Sequence, residues 1–174
     1  SNKAKRHIVS TIYIGGGTPT TLSCENLEKI FSALHKYIDF ENLEEFTLEA
    51  GRPDTITSEK MVIAKKYGVN RISINPQTMN DKTLSLIGRK HSVQQIYDAY
   101  RLARDTGFKC INMDVIAGLP QENLDDFMYT IDKVVELDPE NITVHTMSIK
   151  RAARLNQNKD FDTLPEGNIV DEMI

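Results

Sequence analysis

Few residues in this chain have the type and setting to do chemistry, and they are widely spaced. Gly15-Gly16-Gly17 runs into Thr18-Pro19-Thr20, and three consecutive glycines cost conformational entropy while offering no side chain to pack. Close approach of a ligand to bare backbone would explain them, and so would a tight strand-to-helix turn. The run is not a phosphate loop, because no Gly-Lys-Ser/Thr follows, and Thr20 stands where Gly-x-Gly-x-x-Gly needs its last glycine. Glu49, between Leu48 and Ala50, suits ribose hydroxyls or an ammonium group, and equally a solvated carboxylate on an alternating strand. Gln77, after Asn75-Pro76, offers an amide to hydroxyls or is a polar turn residue. Arg89 has the fork that grips a carboxylate, although beside Lys90 it also reads as a surface arginine. Asp114 sits among Met113, Val115 and Ile116 and must find a partner if buried, a salt bridge inside the fold being the plain version.

Other chemistries find no support. His7, His35, His91 and His145 lack metal-ligand spacing; His35 reads as structural, and His145 either faces a strand end or is the commoner satisfied core histidine. No Ser-His-Asp set and no carboxylate pair for glycosidic chemistry stands out. Cys24 and Cys110 have no Cys-x-x-Cys or His-rich setting, so they read as reduced, mostly buried thiols of a cytoplasmic protein.

The elements that must position these residues repeat one unit. His7 to Ile14 alternates apolar and polar residues and breaks at the glycines, as a strand entering a loop does. Leu27, Ile30, Phe31, Leu34 and Ile38 then recur at helical spacing behind Ser23, a cap. Glu45 to Ala50 predicts a second strand, with a helix from Ser58 as its cap to Gly68. Arg71 to Ile74 predicts a third strand ended by Asn75-Pro76-Gln77, then a short helix from Asn80 to Ile87. Ser92 with Gln95 forms a capping box for a helix closing at Gly107. Cys110 to Ile116 is a fourth strand ending at Gly118-Leu119-Pro120, Asn123 caps another helix, and Asn141 to Met147 is a fifth strand leading to Ser148. Strands separated by helices, without hairpin signals, imply right-handed crossovers and a parallel sheet, hence an α/β fold. Glu49, Gln77, Asp114 and Ser148 then converge with the glycine run on the carboxyl rim, where such sheets bind ligands.

Composition fits a single soluble domain over residues 1–174: 40% hydrophobic, 26% charged, net charge −4. No basic run suggests nucleic acid, no apolar stretch reaches the roughly 18 to 20 residues of a membrane span, and no signal peptide is visible. Lys150 to Arg154 reads as basic and helix-prone, and Leu164 to Asn168 as loop. Ser1-Asn2 looks like an expression remnant and Glu172-Met173-Ile174 stops within a helix-like stretch, so a fragment is expected.

Ile14-Gly-Gly-Gly-Thr-Pro-Thr20, Leu48-Glu-Ala-Gly-Arg-Pro-Asp54, Asn70-Arg-Ile-Ser-Ile-Asn-Pro-Gln77, Ile87-Gly-Arg-Lys-His91 and Asn112-Met-Asp-Val-Ile-Ala-Gly-Leu-Pro120 occur in this order in radical S-adenosylmethionine enzymes. The chain resembles the oxygen-independent coproporphyrinogen III oxidase group, and its Glu-Ala-Gly-Arg-Pro-Asp and Val-His-Thr-Met-Ser-Ile-Lys-Arg-Ala segments resemble the HemZ-like branch. The likeness runs from about Ile8 to Leu155. It implies a partial (βα)6 barrel of the TIM-like type whose top holds S-adenosylmethionine and a four-iron four-sulfur cluster. That cluster cleaves the cofactor to a 5'-deoxyadenosyl radical, which takes hydrogen from coproporphyrinogen propionates and leads to vinyl groups in haem biosynthesis.

Carried over by position, Gly16, Gly17 and Thr18 would bind the methionine end of the cofactor. Glu49 and Gln77 would hold ribose or amino groups, Arg89 a carboxylate, and Asp114 polar atoms, while Ile116 and Ser148 would line the adenosine pocket. The resemblance further implies a porphyrinogen substrate and an electron donor. A haem chaperone of the same superfamily is the alternative, and a scaffold that binds S-adenosylmethionine without radical chemistry is a third reading. The family's Cys-x-x-x-Cys-x-x-Cys loop is lacking, so the cluster ligands are expected upstream of Ser1, and the C-terminal substrate domain is expected beyond the chain. The piece should then be redox-inert, and an apolar sheet edge and barrel interior left open predict self-association or poor solubility. Asn75-Pro76 replaces the Gly-Val of many relatives, which leaves the group held by Gln77 open.

Overall fold

The computed structural model of the chain describes residues 8–147 and Met173. Five strands, β1 (Thr11–Ile14), β2 (Glu45–Ala50), β3 (Arg71–Gln77), β4 (Cys110–Ala117) and β5 (Asn141–Thr146), pair in parallel in their order along the chain. Helices α1 (Cys24–Tyr37), α2 (Ser58–Lys66), α3 (Asp81–Leu86), α4 (Val93–Asp105) and α5 (Leu124–Val135) fill the connections. Crossovers of one hand that always advance to the next strand leave every helix on the same face, the arrangement of a barrel segment rather than of a doubly wound sheet.

The face toward the helices is apolar. Phe46, Leu48, Ile72, Ile74, Ile111, Met113, Val115 and Ala117 are buried against Leu27, Phe31, Met61, Ile96 and Phe127. Each large side chain removed from water there contributes about 2 kcal/mol. The helix starts are built as read: the Ser23 hydroxyl accepts from the Asn26 amide, and Ser92 with Gln95 forms a reciprocal capping box, as Asn123 does with Asp126. His35 is structural, stacked on Phe40 with ring centroids 3.8 Å apart and its Nε2 2.9 Å from the Tyr67 carbonyl.

Several expectations change. Among the described residues β1 begins only at Thr11, and His7 lies outside them, as do Ser148, Lys150 to Arg154 and Leu164 to Asn168. The cap of α2 is Thr57 rather than Ser58, which is already helical; the Thr57 hydroxyl takes the Lys60 amide at 3.4 Å. The third strand does not stop at Ile74: pairing with β4 resumes at Gln77 after an irregularity at Asn75-Pro76, where proline has no N–H for the ladder. Both cysteines are free and half-buried rather than mostly buried.

The largest correction concerns the interior. The helix-free face is not apolar: Thr47, Ser73 and Asn112 are buried on it, with Glu49, Arg71, Asp114 and Thr143 around them. Period-two alternation sends the apolar half of each strand to the helices and leaves the polar half inside the curve.

Candidate functional site

The carboxyl end of β1 opens into the three glycines, each glycine for its own reason. A Cβ on Gly15 would stand 2.6 Å from Glu49 Oε2 and run into the Tyr13 ring, so this residue makes room for the chain's own side chains. Gly16 and Gly17 have φ of 83° and 62°, which L side chains rarely adopt, and among the described residues beyond their own chain neighbours no atom lies within 4 Å of where their Cβ atoms would be. The cradle above these two residues is therefore open. The Gly16 N–H donates to Glu49 Oε2 at 3.1 Å, joining the loop after β1 to the end of β2.

From Glu49 a hydrogen-bonded array crosses the sheet. Asn75 Nδ2 donates to Glu49 Oε1 at 3.3 Å, Ser73 Oγ to Asn75 Oδ1 at 3.3 Å, and Asn112 Nδ2 to Ser73 Oγ at 3.0 Å. Asn112 Nδ2 also donates to Asp114 Oδ1 at 2.5 Å, while Thr143 donates to Asn112 Oδ1 at 2.9 Å. The register makes this follow, since Glu49 lies opposite Ser73, Ser73 opposite Asn112, and Asp114 opposite Thr143. Asp114 thus has its closest partner in an amide rather than in a salt bridge inside the fold, the plain alternative for it. His145 Nε2 is 3.9 Å from Asp114 Oδ2, and His145 is an exposed residue of the last described strand rather than a core histidine. Burial, then the Glu49 and Asp114 carboxylates, raise the phenol of half-open Tyr13 above its ordinary value.

Gln77 ends β3 with φ 71°, a strained conformation for a residue with a side chain. The strain is held from both sides. His91 Nε2 lies 3.4 Å from the Pro76 carbonyl, and buried Thr78 donates to Glu122 Oε1 at 2.6 Å and pairs with Thr130 at 3.1 Å. Gln77 itself is buried, and its side-chain amide has no partner among the described residues. Arg89 is half-buried and, among the described residues, has no carboxylate within 4 Å. Burial, then the Arg52 charge, hold its guanidinium below its ordinary value against a smaller opposing pull from Asp54. An unpaired cation under that pressure is suited to a carboxylate ligand. Ile116 lies on the helix-free face one pleat beyond Asp114, opposite His145. Thr18 caps the 3-10 turn Pro19–Thr21 through its backbone, and its hydroxyl makes no capping bond.

Of the residues read from the sequence, Gly16, Gly17, Thr18, Glu49, Gln77, Asp114 and Ile116 meet at the carboxyl ends of β1 to β4, with Arg89 in the loop that follows α3; Ser148 lies outside the described residues. The reading missed Tyr13, Ser73, Asn75, Asn112, Thr143 and Arg52. For Ser73, Asn75 and Asn112 the signal was there, as polar residues at period two leading to Gln77 and Asp114.

A model of the radical SAM superfamily matches residues 2–134. The chain belongs to this superfamily. Over 152 residues, 87% of the chain, it is 45% identical to the oxygen-independent coproporphyrinogen-III oxidase-like protein HemZ of Bacillus subtilis, spanning 30% of that protein. It is 37% identical over 143 residues, 82% of the chain, to the heme chaperone HemW of the same organism, spanning 38% of it. Among solved structures, the coproporphyrinogen III oxidase HemN of Escherichia coli, a radical SAM enzyme, superposes with a TM-score of 0.84 at 26% identity, covering 95% of this chain and 38% of that one. The chain thus spans about a third of the length of the relatives it matches.

Radical SAM proteins in general use S-adenosylmethionine and a four-iron four-sulfur cluster, and the residues present fit the two differently. The cradle over Gly16 and Gly17, the Gln77 amide and the Arg89 guanidinium, none of them occupied by a polar partner among the described residues, fit the nucleoside and amino-acid ends of S-adenosylmethionine. They do not fit the cluster: Cys24 begins the helix after β1 while Cys110 opens β4 at its amino end, so the two thiols lie at opposite ends of a parallel sheet. Among the described residues no group of three or more His, Cys, Asp or Glu could hold a metal ion. Among them, too, no helix is long and apolar enough to cross a membrane.

Proposed function

We propose that this chain is the S-adenosylmethionine-binding part of a radical SAM oxidoreductase of the coproporphyrinogen III oxidase type, which decarboxylates propionate side chains oxidatively in haem biosynthesis. The observation that carries the reading is the array from Gly16 through Glu49 and Asn112 to Asp114, which lays fixed acceptors along the rim where the family motifs lie. S-adenosylmethionine supplies the hydrogen-abstracting group in such enzymes. The cofactor is cationic at its sulfonium and ammonium and anionic at its carboxylate. Glu49 and Asp114 answer the cationic groups and Arg89 the anionic one. Gly16, Gly17 and Thr18 approach the methionine end through backbone, Gln77 orients hydroxyl or amino groups, and Ile116 gives an apolar edge for adenine. Ser148, assigned to the adenosine pocket by the family resemblance alone, lies outside the described residues, and a porphyrinogen and an electron donor are the partners of the whole protein.

A haem chaperone is the second reading, supported by the 37% identity to HemW. One experiment separates them: anaerobic reconstitution, with iron and sulfide, of a longer protein that includes the cluster-binding cysteines, then assay of 5'-deoxyadenosine and vinyl product with and without coproporphyrinogen III. Deoxyadenosine with vinyl product supports the oxidase. A cluster and S-adenosylmethionine turnover without porphyrinogen product turns the reading toward the chaperone, and no cluster at all defeats the radical reading.

A further inference from the structure

Lys60 stands where a lysine is locally unfavourable, in the first turn of α2, close to the positive end of the helix dipole. Its tertiary contacts supply the reason. Lys60 Nζ donates to the Thr20 carbonyl at 2.5 Å and to the Thr55 carbonyl at 3.1 Å, and among the described residues no carboxylate lies within 4 Å of it. Those carbonyls belong to two 3-10 turns, Pro19–Thr21 after the glycine run and Pro53–Thr55 after Glu49. The turns also touch directly: the hydroxyls of Thr20, fully buried, and Thr55 lie 2.6 Å apart. Thr55 Oγ1 donates to the Arg52 carbonyl at 2.8 Å, so the proton between the threonines comes from Thr20. One ammonium therefore caps the free carbonyls of both turns, whose N-terminal neighbours are the Gly16-Gly17-Thr18 backbone and the Glu49 to Arg52 segment.

We propose that Lys60 is a positioning residue for the cofactor site: it clamps the glycine turn to the turn after β2, so that the Gly16 amide and Glu49 are presented to the ligand as one rigid edge. The proposal rests on the S-adenosylmethionine reading of this rim. Its test uses the whole chain in two arms. In the first, hydrogen exchange without ligand follows the amides of Gly16, Thr21, Leu22, Thr55 and Ile56, all hydrogen-bonded here. Lys60→Met should speed their exchange about tenfold or more and leave β3 and β4 unchanged, and Lys60→Arg should restore most of the protection. In the second, titration with S-adenosylmethionine should show affinity lowered about tenfold in Lys60→Met and recovered in Lys60→Arg. Because methionine suits the first helical turn better than lysine does, weakening of α2 cannot produce these losses.

Unchanged exchange at the two turns, or faster exchange spread evenly over the sheet, overturns the clamp. Local loosening with wild-type affinity overturns its role in positioning. If the wild-type chain binds no S-adenosylmethionine, the cofactor reading fails, and the exchange arm alone decides whether Lys60 holds the two turns together.

Discussion

Replacing Asn112 with leucine keeps the volume of the side chain and removes every hydrogen bond at the centre of the polar array. Asn112 is 4% exposed and serves three neighbours, Ser73, Asp114 and Thr143. Two of these bonds are neutral, at about 1 kcal/mol each, and the one to the carboxylate is worth about 2 kcal/mol. Some of that last term returns through water, because the Asp114 side chain is 15% exposed. The loss comes to about 3 kcal/mol, which for a domain of this size lowers the melting temperature by roughly 6–12 °C. Urea and thermal unfolding of wild type and Asn112→Leu measure it directly. Asn112→Asp adds a sign that packing cannot imitate. Its carboxylate would face that of Asp114 across a 2.5 Å contact, so the pair holds a proton in the folded state and its pKa is raised. The stability of this variant is then closest to wild type below the unfolded value of about 3.9 and is lost as pH rises through the raised one. A melting temperature within about 2 °C of wild type for Asn112→Leu, or an Asn112→Asp penalty that does not grow from pH 4 to pH 8, would refute the view of Asn112 as the hub.

Three other outcomes are expected. Burial pushes the Glu122 carboxyl up, against the pull of its Thr78 hydrogen bond, and among the described residues its Oε2 has no partner. A raised acid loses its contribution as pH climbs above the ordinary value of about 4.5, so Glu122→Gln should gain stability relative to wild type between pH 5 and 8 in urea melts, and an unchanged difference would count against this. Burial pushes the His91 imidazole down, and among the described residues its Nδ1 has no partner. Here the loss comes as pH falls from about 6.5 toward the lowered value, and His91→Gln should flatten that limb of the wild-type curve in the same melts. Gly16→Ala, at φ 83° with open space around it, should cost about 1 kcal/mol in stability and more than tenfold in S-adenosylmethionine affinity by calorimetric titration; equal affinity would remove the glycine cradle from the site.

The order of elements was legible because each rests on local signals. Ser23, Ser92 and Asn123 cap helices whose apolar residues recur every three or four positions, and four of the five strands alternate or run apolar between glycines and turns. Parallel pairing followed from crossover geometry. The bulge that carries β3 on to Gln77 was not legible, since Asn75-Pro76 ends a strand by local rules and only pairing with Val115 of β4 recovers it. Nor was the cap of α2, where two adjacent hydroxyl residues, Thr57 and Ser58, qualify equally.

For the site, residue types and motif order already pointed to the carboxyl rim and to Glu49, Gln77, Arg89 and Asp114, because strand ends and family motifs are properties of the chain taken in order. Asp114 is held locally by Asn112, two positions away, but how the rest of the rim is tied together depended on neighbours 26 to 40 positions away in sequence. The Gly16 amide on Glu49, the Asn112 amide on Ser73 and the Lys60 ammonium on the Thr20 carbonyl all join separate βα units. Apolar spacing records which face of a strand is buried against helices. It does not record what the other face meets once the sheet curves, and so a polar interior was read as apolar until register placed Ser73 against Asn112 and Asp114 against Thr143. Hydrogen bonds across strands are set by register, and register is a property of the assembled sheet.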